Sequence, residues 1–442
     1  MFSKFSKVAM EHGGSTLSPD YIYKAVNIFL KDGSTTCLDA INESEIIMKM
    51  IKENTKVDAV IGMSTCSVFV SHLLKAPFIV FSPVGPMPLF LSGIGDPVNL
   101  FVQPHPLLTS IAPLSFFERI KNILIGNAWN AFILYISNLE KHILEESFGR
   151  SIPDFQDILK ERTALCIANS HFVTHGNWPY YKNVVEIGGA HLKPGKPLPS
   201  DLQNYMDSHP EGVVYVSFGS TFKASEMKKE QKLVFINSFK MLNIPIIWKW
   251  NDDDLSEIPR NVRVEKWVPQ NDLLAHPNLK VFVTHGGLLS TQEALYHGIP
   301  LVGVPLAQDQ ISNVVRAEKN GFAIKVNLDN ISVESLVSAI KKAMVDVNIQ
   351  KSVERMHNLF VATDVQGTKT PLEKGIDAVE FVIKHQYCDF LKPQPLQASW
   401  YKVYGYDLFA VVLGVLGLVT FTSLKLISCF IKSCCFRKRK QD

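Results

Sequence analysis

Residues Trp267 to Gln310 read WVPQNDLLAHPNLKVFVTHGGLLSTQEALYHGIPLVGVPLAQDQ. Within this stretch, Val281-Phe282-Val283-Thr284 is an apolar run of the kind buried on both faces of a parallel sheet. His285-Gly286-Gly287 follows as a tight turn, where the glycines let backbone approach a ligand closely. Leu289 begins a helix that stops before Gly298-Ile299-Pro300, and Leu301 to Val304 reads as the next strand. The helix leads with unpaired N–H groups and the positive end of its dipole, which suit a diphosphate. Ser290 adds a hydroxyl in the first turn. Ser290 and Glu293 are three residues apart and share a helix face, where a carboxylate can accept both hydroxyls of a ribose. Asp309-Gln310 stands at the carboxyl end of the next strand, where open α/β sheets place ligand-binding groups. An acid beside an amide suits adjacent sugar hydroxyls.

The same alternation of strand and helix extends outward from this core. Upstream strands are expected at Val213 to Phe218 and Ile246 to Trp250, with helices at Ser225 to Leu242, Gln310 to Lys319 and Val333 to Val345. A first series reads as strands at Val57 to Met63, Pro77 to Phe81 and Ala164 to Ala168. Val68 to Leu74 and Phe116 to Phe148 read as helices, and Pro83 to Pro113, rich in Pro and Gly, as a long loop. Between the two series lie Pro194, Pro197, Pro199 and Pro210, a natural hinge. The expected organisation is α/β, with two Rossmann-like domains facing a cleft: 1–190, a linker at 191–210, and 211–370. Helices and a pre-membrane segment follow at 371–400.

The ordered set Trp267-Val-Pro-Gln270, His285-x-Gly287, Glu293, Pro300, Pro305 and Asp309-Gln310 resembles the UDP-glycosyltransferase family, the membrane-anchored animal branch, with wording closest to arthropod members. Val214-Tyr-Val-Ser-Phe-Gly-Ser220 and Ile187-Gly-Gly-Ala-His191 fit the same family. The resemblance implies a GT-B fold and transfer of a hexose, glucose or glucuronate, from a UDP-sugar to a small lipophilic acceptor with inversion. It implies that Trp267 stacks on uracil, Gln270 contacts the nucleoside and Glu293 holds the ribose. His285, Gly286, Gly287, Ser290 and Ser220 would face the diphosphate, and Asp309 and Gln310 the transferred sugar. The UDP-sugar is a co-substrate, and no cofactor is implied. No Asp-x-Asp metal triad stands near the turn; Asp252-Asp253-Asp254 lies in a polar turn, so binding is expected without metal.

Family members use a His at the end of the first strand as base and an Asp that balances it. The residue at the Asp position here is Met63, and the only early histidine, His12, lacks a preceding apolar strand. The catalytic residues are therefore unknown from the sequence. The N-domain is expected to be incomplete, lacking its first strand–helix units and leaving an apolar sheet edge. A second hypothesis follows: a catalytically impaired isoform that binds UDP-sugar or forms homo- or hetero-oligomers with related transferases.

The chain has 442 residues, 46% hydrophobic and 20% charged, which excludes a disordered protein. Its net charge is +3, yet residues 432–442 hold five basic side chains against one acid, so the remainder is slightly acidic. That argues against a nucleic-acid partner. Residues 408–431 form an apolar run broken only by Lys425, and 24 residues span about 36 Å as a helix, against about 30 Å of hydrocarbon. Trp400, Tyr401, Tyr404 and Tyr406 before the run and the basic tail at 432–442 after it suit the two interfaces and place the tail in the cytosol. The lysines at 438 and 440 resemble a dilysine retrieval signal, so the expected location is the endoplasmic-reticulum membrane, single-pass, with the body lumenal. The sequons Asn42-Glu-Ser44 and Asn330-Ile-Ser332 permit glycosylation there. The seven cysteines show no CxxC pair, and the four outside the tail do not form an evident disulfide framework.

Overall fold

The computed structural model describes residues 36–95, 100–105, 108, 110–220, 227–250, 257–306, 309–362, 369–386, 389–393, 402 and 406–438. His12, Asp252 to Asp254, Trp400, Tyr401, Tyr404 and the last four residues lie outside them.

The first half runs α1 (Thr36–Glu43), α2 (Glu45–Glu53), β1 (Val60–Gly62), α3 (Thr65–Leu73), β2 (Phe78–Ser82), α4 (Pro88–Gly93), α5 (Phe116–Phe148), α6 (Phe155–Arg162), β3 (Thr163–Ala168), α7 (Phe172–His175) and β4 (Val184–Glu186). The four strands pair in parallel in the order β1-β2-β3-β4. β1 is shorter than the expected Val57 to Met63, because its ladder with β2 holds only from Val60 to Gly62. The expected loop from Pro83 to Pro113 contains α4, entered by Pro88 at a position where the missing N–H costs nothing. α5 has the bounds expected: Ser115 and Glu118 close a capping box at its start, and Gly149 at φ 61° ends it. Among the described residues β1 is an edge strand and its Ile61 is exposed. Cys37 and Cys66 form a disulfide that ties α1 to α3, a pairing the spacing did not single out.

The second half runs α8 (Ser200–Asp207), β5 (Val213–Ser217), α9 (Lys229–Leu242), β6 (Ile246–Lys249), β7 (Val262–Glu265), α10 (Gln270–Leu274), β8 (Leu279–Thr284), α11 (Leu288–Tyr296), β9 (Leu301–Gly303), α12 (Asp309–Lys319), β10 (Ala323–Lys325), α13 (Val333–Val345) and α14 (Val347–Val361). Its parallel sheet has the order β10-β9-β8-β5-β6-β7. The direction of winding reverses between β5 and β8, and the carboxyl ends of those two strands open a crevice. Alternate residues of β5 serve two cores. Val214 and Val216 pack with Phe235 and Phe239 of α9 and Leu336 and Ile340 of α13. Val213 and Tyr215 pack with Leu202 and Met206 of α8 and Leu295 of α11. The proline-rich stretch is thus not structureless: α8 lies within it and contributes core residues to the second sheet.

A further helix, α15 (Pro371–His385), returns to the first sheet, where Ala378 and Val382 pack with Ile79, Leu165 and Ile187. Two parallel α/β domains with this crossover make the GT-B architecture. Residues 392–442 form a separate unit. It holds α16 (Tyr406–Lys438), of which Tyr406–Ser428 is the one described stretch long and apolar enough to cross a membrane. Thr420 and Thr422 bond back to the carbonyls of Leu416 and Leu418, so their hydroxyls are satisfied without water.

Candidate functional site

The site is built at the β5/β8 crevice. His285 is the first residue after β8, and its ring lies against Gly219 after β5: a Cβ on Gly219 would stand 3.0 Å from His285 Cε1. Gly286 takes φ +80°, and a side chain there would strike Val314 of α12. Gly287 caps α11 without a side-chain cap bond, so the helix opens at Leu288, one residue earlier than expected. Burial, reinforced by the charge of Lys249, holds the His285 imidazole down to about 4, so it is neutral at physiological pH.

One face of this turn carries a connected polar set. Gln270, the first residue of α10, donates its side-chain amide to Ser290 Oγ at 3.1 Å and to Glu293 Oε2 at 2.5 Å. The amide carbonyl accepts from the hydroxyl of buried Tyr215 at 3.1 Å, which fixes which way the amide points. Burial pushes the Glu293 carboxyl above its usual range, and the Gln270 bond partly offsets that. Trp267 is 73% exposed rather than core. The Lys249 ammonium lies 4.6 Å from its ring centroid and donates to the Gly219 carbonyl at 3.4 Å. Ser220 is exposed at the end of the β5 loop.

Asp309 and Gln310 open α12 but point differently. Gln310 is buried and its side-chain carbonyl accepts from the Leu306 N–H at 2.9 Å. Asp309 accepts from Asn313 Nδ2 at 2.8 Å, and Asn313 also donates to the Gly286 carbonyl at 3.1 Å, locking α12 to the turn. Burial raises the Asp309 carboxyl. Asp309, Ser312, Asn313 and Arg316 line a narrow cleft of about 60 Å³ whose far wall is Val84, Gly85, His105, His175, Trp178 and Tyr180 of the first half. Burial holds His105 near 4 and His175 near 3. Neither imidazole is tuned to act as a base near neutral pH.

Tyr215, Asn313, Arg316, His105 and His175 were not singled out from sequence. Asn313 and Arg316 lie four and seven residues after Asp309, so helical periodicity alone would have placed them on its face. Met63 stands at the carboxyl end of β1, 38% exposed, beside Ser64, which caps α3.

Residues 2–441 match the family described as UDP-glucuronosyl and UDP-glucosyl transferase. The chain belongs to this family. As a UDP-glycosyltransferase it is 29% identical over 380 residues to "UDP-glycosyltransferase UGT5" of Dactylopius coccus, covering 84% of this chain and 70% of that one. It is 26% identical over 402 residues to human "UDP-glucuronosyltransferase 2A3", covering 90% and 74%. In fold, this UDP-glycosyltransferase resembles the solved structure of LpCGTa in complex with UDP, at a TM-score of 0.53 and 17% identity over 78% of this chain and 82% of that one. Transfer of a sugar from a UDP-sugar is the family's chemistry. The animal relatives and the apolar α16 are consistent with a membrane-anchored protein.

Proposed function

We propose that the protein transfers a hexose, glucose or glucuronate, from its UDP-sugar to a hydroxyl of a small lipophilic acceptor, with inversion. The observation that carries this reading is the Gln270–Ser290–Glu293 set at the head of α11, between exposed Trp267 and the His285-Gly286-Gly287 turn. Trp267 offers a face to uracil, Gln270 contacts the nucleoside, and Glu293 accepts the ribose hydroxyls. The N–H groups of the turn, His285, Ser290 and Ser220 face the diphosphate, and Asp309 with Gln310 the sugar. No metal is required for this binding. The Cys37–Cys66 disulfide supports an oxidising compartment, and Asn42 and Asn330 of the two sequons are exposed. Both fit a lumenal body anchored in the endoplasmic-reticulum membrane by 408–431.

Met63 favours a second reading, in which the donor is bound but turnover is impaired, since a thioether neither takes a proton nor orients an imidazolium. Calorimetry with UDP, with and without EDTA, tests donor binding; affinity lost on chelation refutes the metal-free site. Incubating membranes bearing the protein with a panel of phenols and either UDP-glucose or UDP-glucuronate then separates the readings. Transfer supports the first. Donor binding without transfer supports the second.

A further inference from the structure

We infer that Arg316 receives a carboxylate carried by a molecule bound in the interdomain cleft. This inference deepens the donor-site reading above and rests on it.

Arg316 sits on α12, seven residues beyond Asp309 and therefore on the same helix face, about 10 Å further along the axis. It lines the cleft between the two halves together with Asp309 and Asn313. Across from it, α7 ends in Gly176 at φ +82°, and a Cβ on Gly176 would stand only 3.1 Å from a guanidinium nitrogen of Arg316. The positive φ favours glycine there, and the absent side chain lets the guanidinium approach closely.

What the guanidinium lacks is an anion. Among the described residues no ion pair or hydrogen bond is made by its nitrogens, and the groups it interacts with electrostatically, the Tyr180 phenol and the His175 imidazole, include no carboxylate. Burial disfavours its charge accordingly. A partly buried cation is costly unless paired. Arginine also cannot relieve the cost by losing its proton, because the guanidinium stays protonated in proteins. The other basic groups at the cleft, His105 and His175, are both held neutral by burial, and His175 touches the backbone of Val84 and the Thr174 hydroxyl instead. The cleft wall thus presents one fixed fork of N–H donors, open to a planar anion, at the far end of the face that begins with Asp309. A carboxylate matches that fork in geometry and charge.

Two molecules of the reaction can bring such a group: a glucuronate donor, through its sugar, or an acceptor that carries an acid as well as the reacting hydroxyl. The test is calorimetry on the full chain in detergent, wild type against Arg316→Met and Arg316→Lys. The probes are UDP, UDP-glucose, UDP-glucuronate and, with UDP present, phenol and 4-hydroxybenzoate. The expected result is that Arg316→Met leaves UDP, UDP-glucose and phenol within about twofold and weakens one carboxylate-bearing probe about tenfold or more, with partial rescue by Arg316→Lys. Loss confined to UDP-glucuronate identifies the donor as the source, and loss confined to 4-hydroxybenzoate the acceptor. Equal weakening of all nucleotides, or no change on either carboxylate, overturns the inference while leaving the donor site intact. Wild-type protein that binds no nucleotide overturns the donor-site reading and this inference together.

Discussion

The side-chain amide of Gln270, at the start of one helix, lies 2.5 Å from Oε2 of Glu293, in the second turn of another. The two residues are 23 apart in sequence and meet only because β8 carries the chain across the sheet between them. An amide donor aimed at this carboxylate keeps it oriented without neutralising it, so it retains lone pairs for hydroxyl groups.

Replacing Glu293 by Ala removes the acceptor and leaves the Gln270 amide N–H groups with Ser290 alone, its carbonyl still bonded to Tyr215. UDP affinity is expected to fall by roughly 1.5–3 kcal/mol, the range for loss of a charge-assisted hydrogen-bonding partner. Calorimetry with UDP measures it. Unchanged affinity in a folded variant removes Glu293 from the ribose role.

Tyr215→Phe tests the group behind Gln270. The hydroxyl is buried in the core and its loss leaves the Gln270 carbonyl without that donor. Stability is expected to drop by about 1–3 kcal/mol, the cost of leaving a buried polar atom unsatisfied. UDP should bind more weakly as the amide loses its orientation. Denaturant titration and calorimetry read the two effects, and a stability loss with unchanged UDP affinity would confine Tyr215 to packing.

Glu140 of α5 gives a pH prediction. It is 4% exposed, bonds the Thr65 side chain, and its Oε2 has no hydrogen-bond partner among the described residues. Burial pushes its carboxyl up from 4.5 to about 7. The folded protein therefore binds this proton more tightly than the unfolded chain. Its stabilising contribution is complete below pH 4.5 and is lost as pH rises through 7, on the order of 3 kcal/mol. Thermal unfolding from pH 5 to 8 should show wild type losing more stability than Glu140→Gln. Parallel curves would sink the assignment.

The Cys37–Cys66 bond closes a loop of sequence separation 29. Cys66→Ser, or reduction, is expected to cost about 2–4 kcal/mol of stability. The unfolding midpoint with and without reductant checks it, and a midpoint indifferent to reductant in wild type would show that the bridge is not formed.

Read alone, the sequence determined the family, the parallel α/β architecture and the donor motif, because each rests on local pattern. β5 and β8 are continuous apolar runs. The turn at His285-Gly286-Gly287 needs glycine, and Ser290 and Glu293 share a face by helical spacing alone. The strands Val184–Glu186, Val262–Glu265 and Ala323–Lys325 escaped notice, being only three or four residues long and too short for periodicity to register. Tertiary structure alone decided that Gln270 bridges Ser290 and Glu293 under the direction of Tyr215, and that Cys37 pairs with Cys66. It also decided that Arg316 faces a cleft wall from the other half of the chain. Those relationships join residues from different elements, and their distances are set by how the sheets stack and where the helices cross, which no local pattern encodes.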